Sequence, residues 1–257
     1  MTALLEARGV VRRFGGVVAL DGLDLTVAPD EILGLIGPNG SGKTTFFNVI
    51  TGIYRADEGS VSFDGADITH TSPRAVYQAG ISRTFQRSRL SLPLSIFDNI
   101  MIGNHKRLNQ GLWFNLVKRA KFKREFEACH VAARALVEVF EPKLADRLFE
   151  PVAGLPMIDR RRIEICRALI SAPKLLLLDE PSAGMTHEET AELMSDILLV
   201  RERNKNLTII IVEHEMGVIE RITNRCVVLN FGRKIAEGPY REVAANAQVQ
   251  EAYLGVA

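Results

Sequence analysis

The feature that most constrains this chain is a glycine-rich loop that directly follows a short apolar segment. Residues 31–36 read Glu-Ile-Leu-Gly-Leu-Ile, and residues 37–44 read Gly-Pro-Asn-Gly-Ser-Gly-Lys-Thr, which matches the pattern GxxxxGK[ST]. A buried strand that runs into such a loop, and then into a helix beginning near Gly42, is the context that a phosphate-binding loop requires. The sequence therefore predicts an α/β fold with this loop between a central strand and a helix.

The residue types of the loop suit the binding of a nucleoside triphosphate. Glycines let backbone N–H groups turn toward phosphate oxygens without obstruction from a Cβ atom, and the following helix N-terminus adds positive potential. Lys43 supplies a cation, and the hydroxyl of Thr44 is placed to bind Mg²⁺. A glycine-rich turn without a ligand is the plainer alternative. The predicted nucleotide-binding residues of the loop are Gly37, Pro38, Asn39, Gly40, Ser41, Gly42, Lys43, Thr44 and Thr45.

An acidic pair after a second apolar segment supplies groups that hydrolysis requires. Four leucines at 175–178 precede Asp179 and Glu180. We expect Asp179 to hold the metal ion, directly or through water, and Glu180 to polarise the attacking water as general base. Acidic residues at such a position often only cap the next helix, so the prediction depends on the phosphate loop being present as well.

Composition and net charge limit the partners of the chain. Its 257 residues are 47% hydrophobic and 25% charged, the balance of a folded protein with a sizeable core. The 32 Lys and Arg residues against 31 Asp and Glu residues leave a formal net charge of +1. Because no global field attracts nucleic acid, we expect no nucleic-acid partner and local phosphate recognition.

Cysteine spacing and the length of the apolar runs indicate the cellular compartment in which the chain is expected to work. Cys129, Cys166 and Cys226 lie far apart and form no CxxC pair, which argues against a disulfide framework and favours a reducing compartment. No apolar run approaches the roughly 20 residues that a membrane-spanning helix needs, and the first residues do not read as a signal peptide. We therefore expect any membrane role to be exercised from the cytoplasmic side, through a partner.

Hydrophobic periodicity divides the chain into a core and a helical insertion. Alternation over 4–10 and 20–27 predicts strands, whereas helical spacing over 122–140 predicts a helix. We predict a single domain with its catalytic core in residues 1–86 and 173–257 and a mostly helical insertion in 87–172. Further predicted elements are strands at 174–178 and 207–212 and helices at 188–203 and 244–254.

Taken together, these motifs resemble those of the ATP-binding-cassette ATPases, over essentially the whole chain. Gln86, in Ser-Arg-Thr-Phe-Gln, matches the family's glutamine loop, which implies contact with Mg²⁺ and the attacking water. His214, in Ile-Val-Glu-His-Glu, matches the histidine that closes on the γ-phosphate. Phe14 stands where the family places an aromatic ring that stacks on adenine. Each of these residues alone would be weak evidence. The resemblance depends on their order and spacing along the chain.

The resemblance implies a fold, a nucleotide and a metal. The fold is that of a P-loop NTPase of RecA-like type, with a parallel or mixed sheet core, an N-terminal antiparallel β subdomain and the inserted α-helical subdomain. The implied ligands are ATP and Mg²⁺. Thr44, Gln86 and Asp179 are the residues expected to bind the metal ion. Lys43, Gln86, Glu180 and His214 are then the catalytic set.

Within the family, several segments look most like the ATPases of branched-chain amino acid importers. They include Arg-Phe-Gly-Gly at 13–16 and Ala-Tyr-Leu-Gly at 252–255. Importers of urea, short amides and aromatic acids use similar cassettes, so the solute stays open. The resemblance implies transmembrane permease subunits, a second ATPase subunit and a periplasmic or extracellular solute-binding protein as partners. It places this chain peripherally on the cytoplasmic face of the inner or plasma membrane.

One segment departs from the family pattern. The signature loop, LSGGQ or a near variant, aligns with residues 155–159, which read Leu-Pro-Met-Ile-Asp. In the family, a serine hydroxyl and glycine N–H groups of this loop bind the γ-phosphate held by the opposite subunit. Pro156 offers neither hydroxyl nor N–H, Ile158 adds a branched side chain, and Asp159 brings negative charge near phosphate.

A degenerate signature loop has a consequence for assembly. Two cassettes associate head to tail in the family, so a homodimer of this chain would have two defective sites. We therefore expect a heterodimer with one hydrolytic site, formed by Lys43, Glu180 and His214 of this chain against an intact loop of the partner.

Three other functions fit parts of the sequence. A soluble cassette ATPase of translation or DNA repair usually carries two cassettes or a long coiled coil, and neither is visible here. A phosphate-loop kinase or GTPase would need an acceptor lid or an NKxD loop, and residues 204–206, Asn-Lys-Asn, lack the aspartate. A regulatory subunit that only binds nucleotide would need neither Glu180 nor His214.

Overall fold

The computed structural model describes residues 3–86, 89–105 and 119–254. The chain forms two compact units. The first unit consists of Met1–Arg83, Lys174–Pro181 and Asn204–Ala257, and the second of Thr84–Pro173 and Ser182–Arg203. Residues 182–203, which the sequence-based division assigns to the core, thus cluster with the second unit.

The first unit consists mainly of strands, with short helices between some of them. Its strands are β1 (Leu5–Phe14), β2 (Val17–Val27), β3 (Ile32–Ile36), β4 (Glu58–Phe63), β5 (Ala66–Asp67), β6 (Ile81–Arg83), β7 (Leu175–Asp179), β8 (Thr208–Val212), β9 (Arg225–Asn230) and β10 (Arg233–Gly238). Its helices are α1 (Lys43–Ile50), α2 (Pro73–Ala79), α8 (Met216–Ile222), α9 (Tyr240–Ala244) and α10 (Ala247–Leu254).

Two sheets build this unit. One has the order β2-β1-β4-β5 and is antiparallel throughout. The other has the order β10-β9-β3-β8-β7-β6, with parallel pairing from β9 to β6 and antiparallel pairing between β9 and β10. Side chains of both sheets and of α1 share one hydrophobic core. The predicted combination of a mixed central sheet and an N-terminal antiparallel sheet is therefore confirmed.

The central strands are almost entirely apolar because both of their faces are covered. All five residues of β3, of β7 and of β8 are buried. Parallel strands covered on both faces characteristically read as such continuous apolar runs rather than as alternation. Such strands are therefore recognisable from their sequence alone.

The second unit is helical in the part of the chain that the structure describes. Its helices are α3 (Ile96–Ile102), α4 (Arg119–Phe140), α5 (Pro142–Ala145), α6 (Met157–Leu169) and α7 (His187–Arg203), with a 3₁₀ turn at Val152–Gly154. Helix α6 packs against α3, α4 and α7. Among the described helices, none combines the length and the apolar character that crossing a membrane would require.

Most predicted elements exist, and the differences have local causes. The helix predicted over 122–140 runs from Arg119 to Phe140. The tail predicted as one helix over 244–254 is two helices, α9 and α10. The break lies at Asn246, whose side-chain oxygen accepts a hydrogen bond from the Gln248 N–H at 2.9 Å and so caps the second helix.

Candidate functional site

The topology of the central sheet brings three sequence motifs to one edge of the first unit. Strands β3, β8 and β7 are neighbours and run parallel, so their carboxyl ends meet at the same edge. The phosphate loop of residues 37–44 follows β3, His214 lies two residues beyond β8, and Glu180 directly follows β7. This edge is where α/β sheets bind ligands.

Glycine is required at two points of the loop because other chain segments approach its backbone closely. A Cβ atom on Gly37 would lie 2.1 Å from the carbonyl oxygen of Leu229, and one on Gly42 would lie 2.6 Å from that of Ala19. Both glycines have positive φ, 144° and 108°. Gly42 is the N-cap of α1, so the helix begins at Lys43, close to the predicted position. The loop thus has the shape of a backbone cradle.

Lys43 lies inside this cradle. Its side chain is buried, and its ammonium donates to the carbonyl oxygens of Gly37 at 2.7 Å and Pro38 at 3.0 Å. Burial lowers the pKa of Lys43, while the charges of Glu180 and Asp179 act in the opposite direction. The ammonium of Lys43 is therefore held by carbonyl oxygens of the loop itself.

Glu180 and His214 lie in contact. The Nε2 atom of His214 is 2.5 Å from the Oε1 atom of Glu180. The backbone of Glu180 has a φ of 49°, which is uncommon for a residue with a side chain, and its N–H donates to Val212 at 2.9 Å. That bond ties the end of β7 to β8 and aims the carboxylate at the imidazole.

Asp179 is held by an arginine that the sequence analysis did not single out. Arg83 at the end of β6 donates to the Oδ2 atom of Asp179 at 2.6 Å, and also to the side chain of Asn48 at 2.7 Å. The side chains of Arg83 and Asp179 are 5% and 3% exposed, so this is a buried ion pair. Arg83 lies within the Ser-Arg-Thr-Phe-Gln segment quoted for Gln86, but only the adjacency of β6 and β7 brings it to the carboxylate.

The other loop residues differ in exposure. Asn39, Gly40 and Thr44 are exposed, Pro38 and Thr45 are half-buried, and Ser41 is buried. The carbonyl of Ser41 accepts the N–H of Gly232 at 2.9 Å, so the turn between β9 and β10 supports the loop from behind.

Phe14 lies at the end of β1 in an aromatic cluster. Its ring meets that of Tyr54 edge to face, with centroids 5.1 Å apart. The guanidinium of Arg12 lies 4.6 Å from the centroid of Phe14, and Arg12 is paired with Asp57 at 3.0 Å. Phe14 is 38% exposed, which leaves part of the ring accessible to a stacking base.

Gln86 belongs to the second unit, where α6 holds the chain on both sides of it. The guanidinium of Arg161 donates to the carbonyl of Phe85 at 3.2 Å and approaches that of Gln86 at 3.4 Å. Glu164 accepts the N–H of Arg89 at 2.9 Å. Arg161 and Glu164 pair with each other at 2.7 Å, with side chains 4% and 2% exposed. A single buried ion pair therefore fixes the backbone around Gln86, whose own side chain lies at the surface.

The segment aligned with the signature loop leads into α6. Pro156 is the N-cap residue and provides no side-chain hydrogen bond to the helix. Met157 is 50% exposed, while Ile158 is buried. The carboxylate of Asp159 accepts a hydrogen bond from Arg162 at 3.1 Å. Residues 155–159 thus have neither the serine hydroxyl nor the glycines that a phosphate-binding signature loop uses.

Arg162 ties α6 to α7. Its guanidinium contacts Glu192 at 2.5 Å and Asp196 at 2.9 Å in addition to Asp159. Burial alone would lower the pKa of Arg162, but the bonds to these carboxylates raise it above its usual value. These bonds hold α6 against α7.

Comparisons with known proteins show the family of this chain. The "ABC transporter" family model matches residues 20–183, and a second model, "Branched-chain amino acid ATP-binding cassette transporter", matches residues 233–257. The chain is 37% identical to the high-affinity branched-chain amino acid transport ATP-binding protein LivG of Escherichia coli, over 99% of this chain and 98% of that protein. It is 36% identical to the corresponding protein BraF of Pseudomonas aeruginosa, with the same coverage.

Solved structures give the same result. A nucleotide-free ATP-binding cassette of an ABC transporter matches with a TM-score of 0.84 and 30% identity, over 98% of this chain and 99% of that one. An ATP-binding cassette in its ADP conformation matches with a TM-score of 0.84 and 30% identity, over 99% and 100%. These matches favour the cassette family over a phosphate-loop kinase or GTPase. The chain therefore belongs to the ABC transporter family, as one of its ATP-binding subunits.

Proposed function

We propose that this chain is the ATP-hydrolysing subunit of an importer of branched-chain amino acids or closely related small solutes. The observation that carries the proposal is the 2.5 Å contact between Glu180 and His214 at the sheet edge that also bears the phosphate loop. The names of the curated relatives and of the C-terminal family model support the solute class. The solute itself would be bound by other subunits.

Each residue of the edge has a role suited to its contacts. The glycines of the loop would direct backbone N–H groups at the phosphates of ATP, and Lys43 would exchange its loop carbonyls for phosphate oxygens. Glu180 would accept a proton from the attacking water. His214, in contact with that carboxylate, would orient it and reach the terminal phosphate. Phe14 would stack on the adenine base.

The donor set also fits Mg²⁺. The hydroxyl of Thr44 and the carboxylate of Asp179 are oxygen ligands of the kind that Mg²⁺ takes together with phosphate oxygens and water. When bound, the ion would neutralise charge on the phosphates. Thr44 is exposed, while Asp179 is engaged by Arg83 at 2.6 Å, so Arg83 would share or release this carboxylate when the metal enters. Gln86 is proposed as a further contact of the metal and the water.

A second, different cassette is proposed as the partner ATPase. The N-cap proline of α6 and the buried Ile158 support a signature loop that cannot bind a γ-phosphate. The partner's intact loop would complete the site of this chain, and the site that uses residues 155–159 would bind ATP with little turnover. Permease subunits would anchor the pair at the cytoplasmic face of the membrane, and a solute-binding protein would deliver the cargo.

The assay is steady-state ATP hydrolysis by the purified chain, alone and mixed with a cassette that has an intact signature loop. Alone, the chain should turn over well below about 1 s⁻¹, the lower end of the usual enzyme range. The mixture should be faster, and its activity should require Lys43 of this chain. Turnover of order 1 s⁻¹ or more by the chain alone contradicts the heterodimer. A double variant, Pro156→Ser with Ile158→Gly, tests the cause, since it should raise the activity of the chain alone.

A further inference from the structure

The hairpin formed by β1 and β2 lies against the phosphate loop. Phe14, the last residue of β1, pairs with Val17 of β2. Two positions further along β2, the carbonyl oxygen of Ala19 would lie 2.6 Å from a Cβ atom on Gly42, so the hairpin contacts the loop closely. A nucleotide whose phosphates lie in the loop could therefore extend its base toward the Phe14 ring, which is 38% exposed.

Arg12 lies over the ring of Phe14. The carbon at the centre of its guanidinium is 4.6 Å from the centroid of Phe14 and 5.6 Å from that of Tyr54. Both distances are within the roughly 6 Å over which a cation is attracted to an aromatic face. The two rings also meet each other, with centroids 5.1 Å apart and planes at 71°. Arg12, Phe14 and Tyr54 thus form one cluster in which each side chain limits the movement of the others.

Asp57 holds the guanidinium of Arg12 in this place. One of its carboxylate oxygens accepts a hydrogen bond from Arg12 at 3.0 Å, and the other accepts the backbone N–H of Arg13 at 2.6 Å. The N–H of Asp57 donates to the carbonyl of Val11 at 2.8 Å. Asp57 is therefore anchored to the strand that carries Phe14.

The Nε atom of Arg12 is sealed inside the cluster. It is buried, and among residues 3–86, 89–105 and 119–254 it has no hydrogen-bond acceptor. Burial of an unpaired N–H group costs stability, and the attraction of the guanidinium to the two rings offsets part of that cost. The contact with the rings therefore accounts for the position of this side chain, which a salt bridge to Asp57 alone does not require.

Tyr54 connects the cluster to the helix that follows the phosphate loop. Its N–H donates to the carbonyl of Asn48 in α1 at 3.0 Å, and its ring packs against the hydrophobic core. Helix α1 begins at Lys43 of the loop. The ring of Phe14 is thus held between a residue of its own strand and a residue anchored to α1.

We propose that Arg12 is a positioning residue that, with Tyr54, holds the ring of Phe14 in the orientation on which the base of the nucleotide stacks. This inference rests on the proposed binding of ATP at the loop. Arg12 would act through Phe14 and not by contact with the nucleotide. A ring that is already fixed loses less conformational entropy when a base binds, so its restraint strengthens binding.

The experiment measures the affinity of the full chain for ADP by calorimetry, so that neither hydrolysis nor a partner is needed. Arg12→Met removes the guanidinium and keeps the apolar stem. Arg13→Met is the matched control, because the side chain of Arg13 pairs with Glu58 at 2.7 Å on an exposed surface. Phe14→Ala and the double variant Arg12→Met with Phe14→Ala complete a double-mutant cycle. Thermal unfolding reports whether each variant is folded. Arg12→Lys, which keeps the charge but not the planar group, replaces Arg12→Met if that variant does not fold.

The expected losses of affinity follow from the two kinds of contact. Phe14→Ala should weaken ADP binding about 5- to 100-fold, the contribution of one stacked base. Arg12→Met should weaken it about two- to fivefold, in line with a cation on an aromatic ring at a partly exposed site. Arg13→Met should leave the affinity unchanged. With Phe14→Ala already present, Arg12→Met should have no further effect, because the ring through which it acts is gone.

Three results would overturn the inference while the proposed function stands. They are unchanged or tighter ADP binding by Arg12→Met, an equal loss from Arg12→Met with and without Phe14, and unchanged ADP binding by Phe14→Ala. Tighter binding would mean that the guanidinium occupies the face that the base needs. Absence of ADP binding by the original chain would instead overturn the proposed function, and the inference with it.

Discussion

Removal of one partner from the buried ion pair beside Gln86 should destabilise the second unit strongly. Arg161 and Glu164 are 2.7 Å apart with side chains 4% and 2% exposed. Glu164→Leu would leave a buried guanidinium without its carboxylate and would also remove the acceptor of the Arg89 N–H. Arg161→Met would leave the carboxylate buried and unpaired, and would free the carbonyl of Phe85.

The size of the effect follows from this burial. Breaking a buried pair by removing one partner destabilises a protein by about 3–5 kcal/mol, whereas replacing both partners with apolar residues is often neutral. For a chain of this size, about 1 kcal/mol corresponds to roughly 2–4 °C in unfolding temperature. Each single variant should therefore unfold roughly 6–20 °C below the original chain. The double variant still lacks the bonds to Phe85 and Arg89, about 1 kcal/mol each, so its loss of about 2 kcal/mol should be smaller than that of either single variant.

The assay is thermal or denaturant unfolding of the original chain, the two single variants and the double variant, which together form a double-mutant cycle. Removing one partner of a buried pair costs much more stability than replacing both partners with apolar residues. We therefore expect a coupling free energy of at least about 2 kcal/mol. If the losses of the two single variants simply add in the double variant, the pair is not a coupled buried unit. The account of how the backbone around Gln86 is fixed would then be wrong.

Three further perturbations test separate parts of the molecule. Gln86→Ala should leave ATP affinity nearly unchanged and uncouple hydrolysis from transport in the reconstituted importer, and loss of nucleotide binding would contradict the assignment. Gly37→Ala should abolish nucleotide binding in calorimetry, because the new Cβ would lie 2.1 Å from the carbonyl oxygen of Leu229. Burial raises the pKa of the Cys166 thiol far above its ordinary value of 9.0, and that of Cys129 to a smaller extent. A raised pKa leaves less reactive thiolate at any given pH. Cys166 should therefore react with a disulfide reagent at pH 8 only after unfolding. Cys129 should react before Cys166, and its reaction should become faster as the pH rises.

The elements that the sequence predicts best are those whose apolar pattern does not depend on a neighbouring element. Strands β3, β7 and β8 are continuous apolar runs because both faces are covered, so their pattern is visible without knowledge of their neighbours. The three-residue strand β6 is not visible in this way, because it depends on pairing with β7. Its Arg83, the partner of Asp179, was missed for the same reason.

Contacts that arise from long-range packing could not be predicted from motifs. Arg83 lies 96 positions from Asp179 in the chain, and no spacing rule connects them. The pairing of Glu180 with His214 was within reach, since both follow neighbouring parallel strands, although the sequence alone does not give the 2.5 Å contact. The motif residues were therefore predictable from local chemistry, while their partners required the fold.

The central claim is that Glu180 acts as the general base for ATP hydrolysis beside His214. The most direct measurement is the steady-state ATPase rate of the assembled transporter with Glu180→Gln, which keeps the shape of the side chain and removes its basicity. ATP affinity should be retained while the rate falls about 10²- to 10⁴-fold, the contribution of a positioned base. A Glu180→Gln transporter that hydrolyses ATP at the original rate would contradict the account.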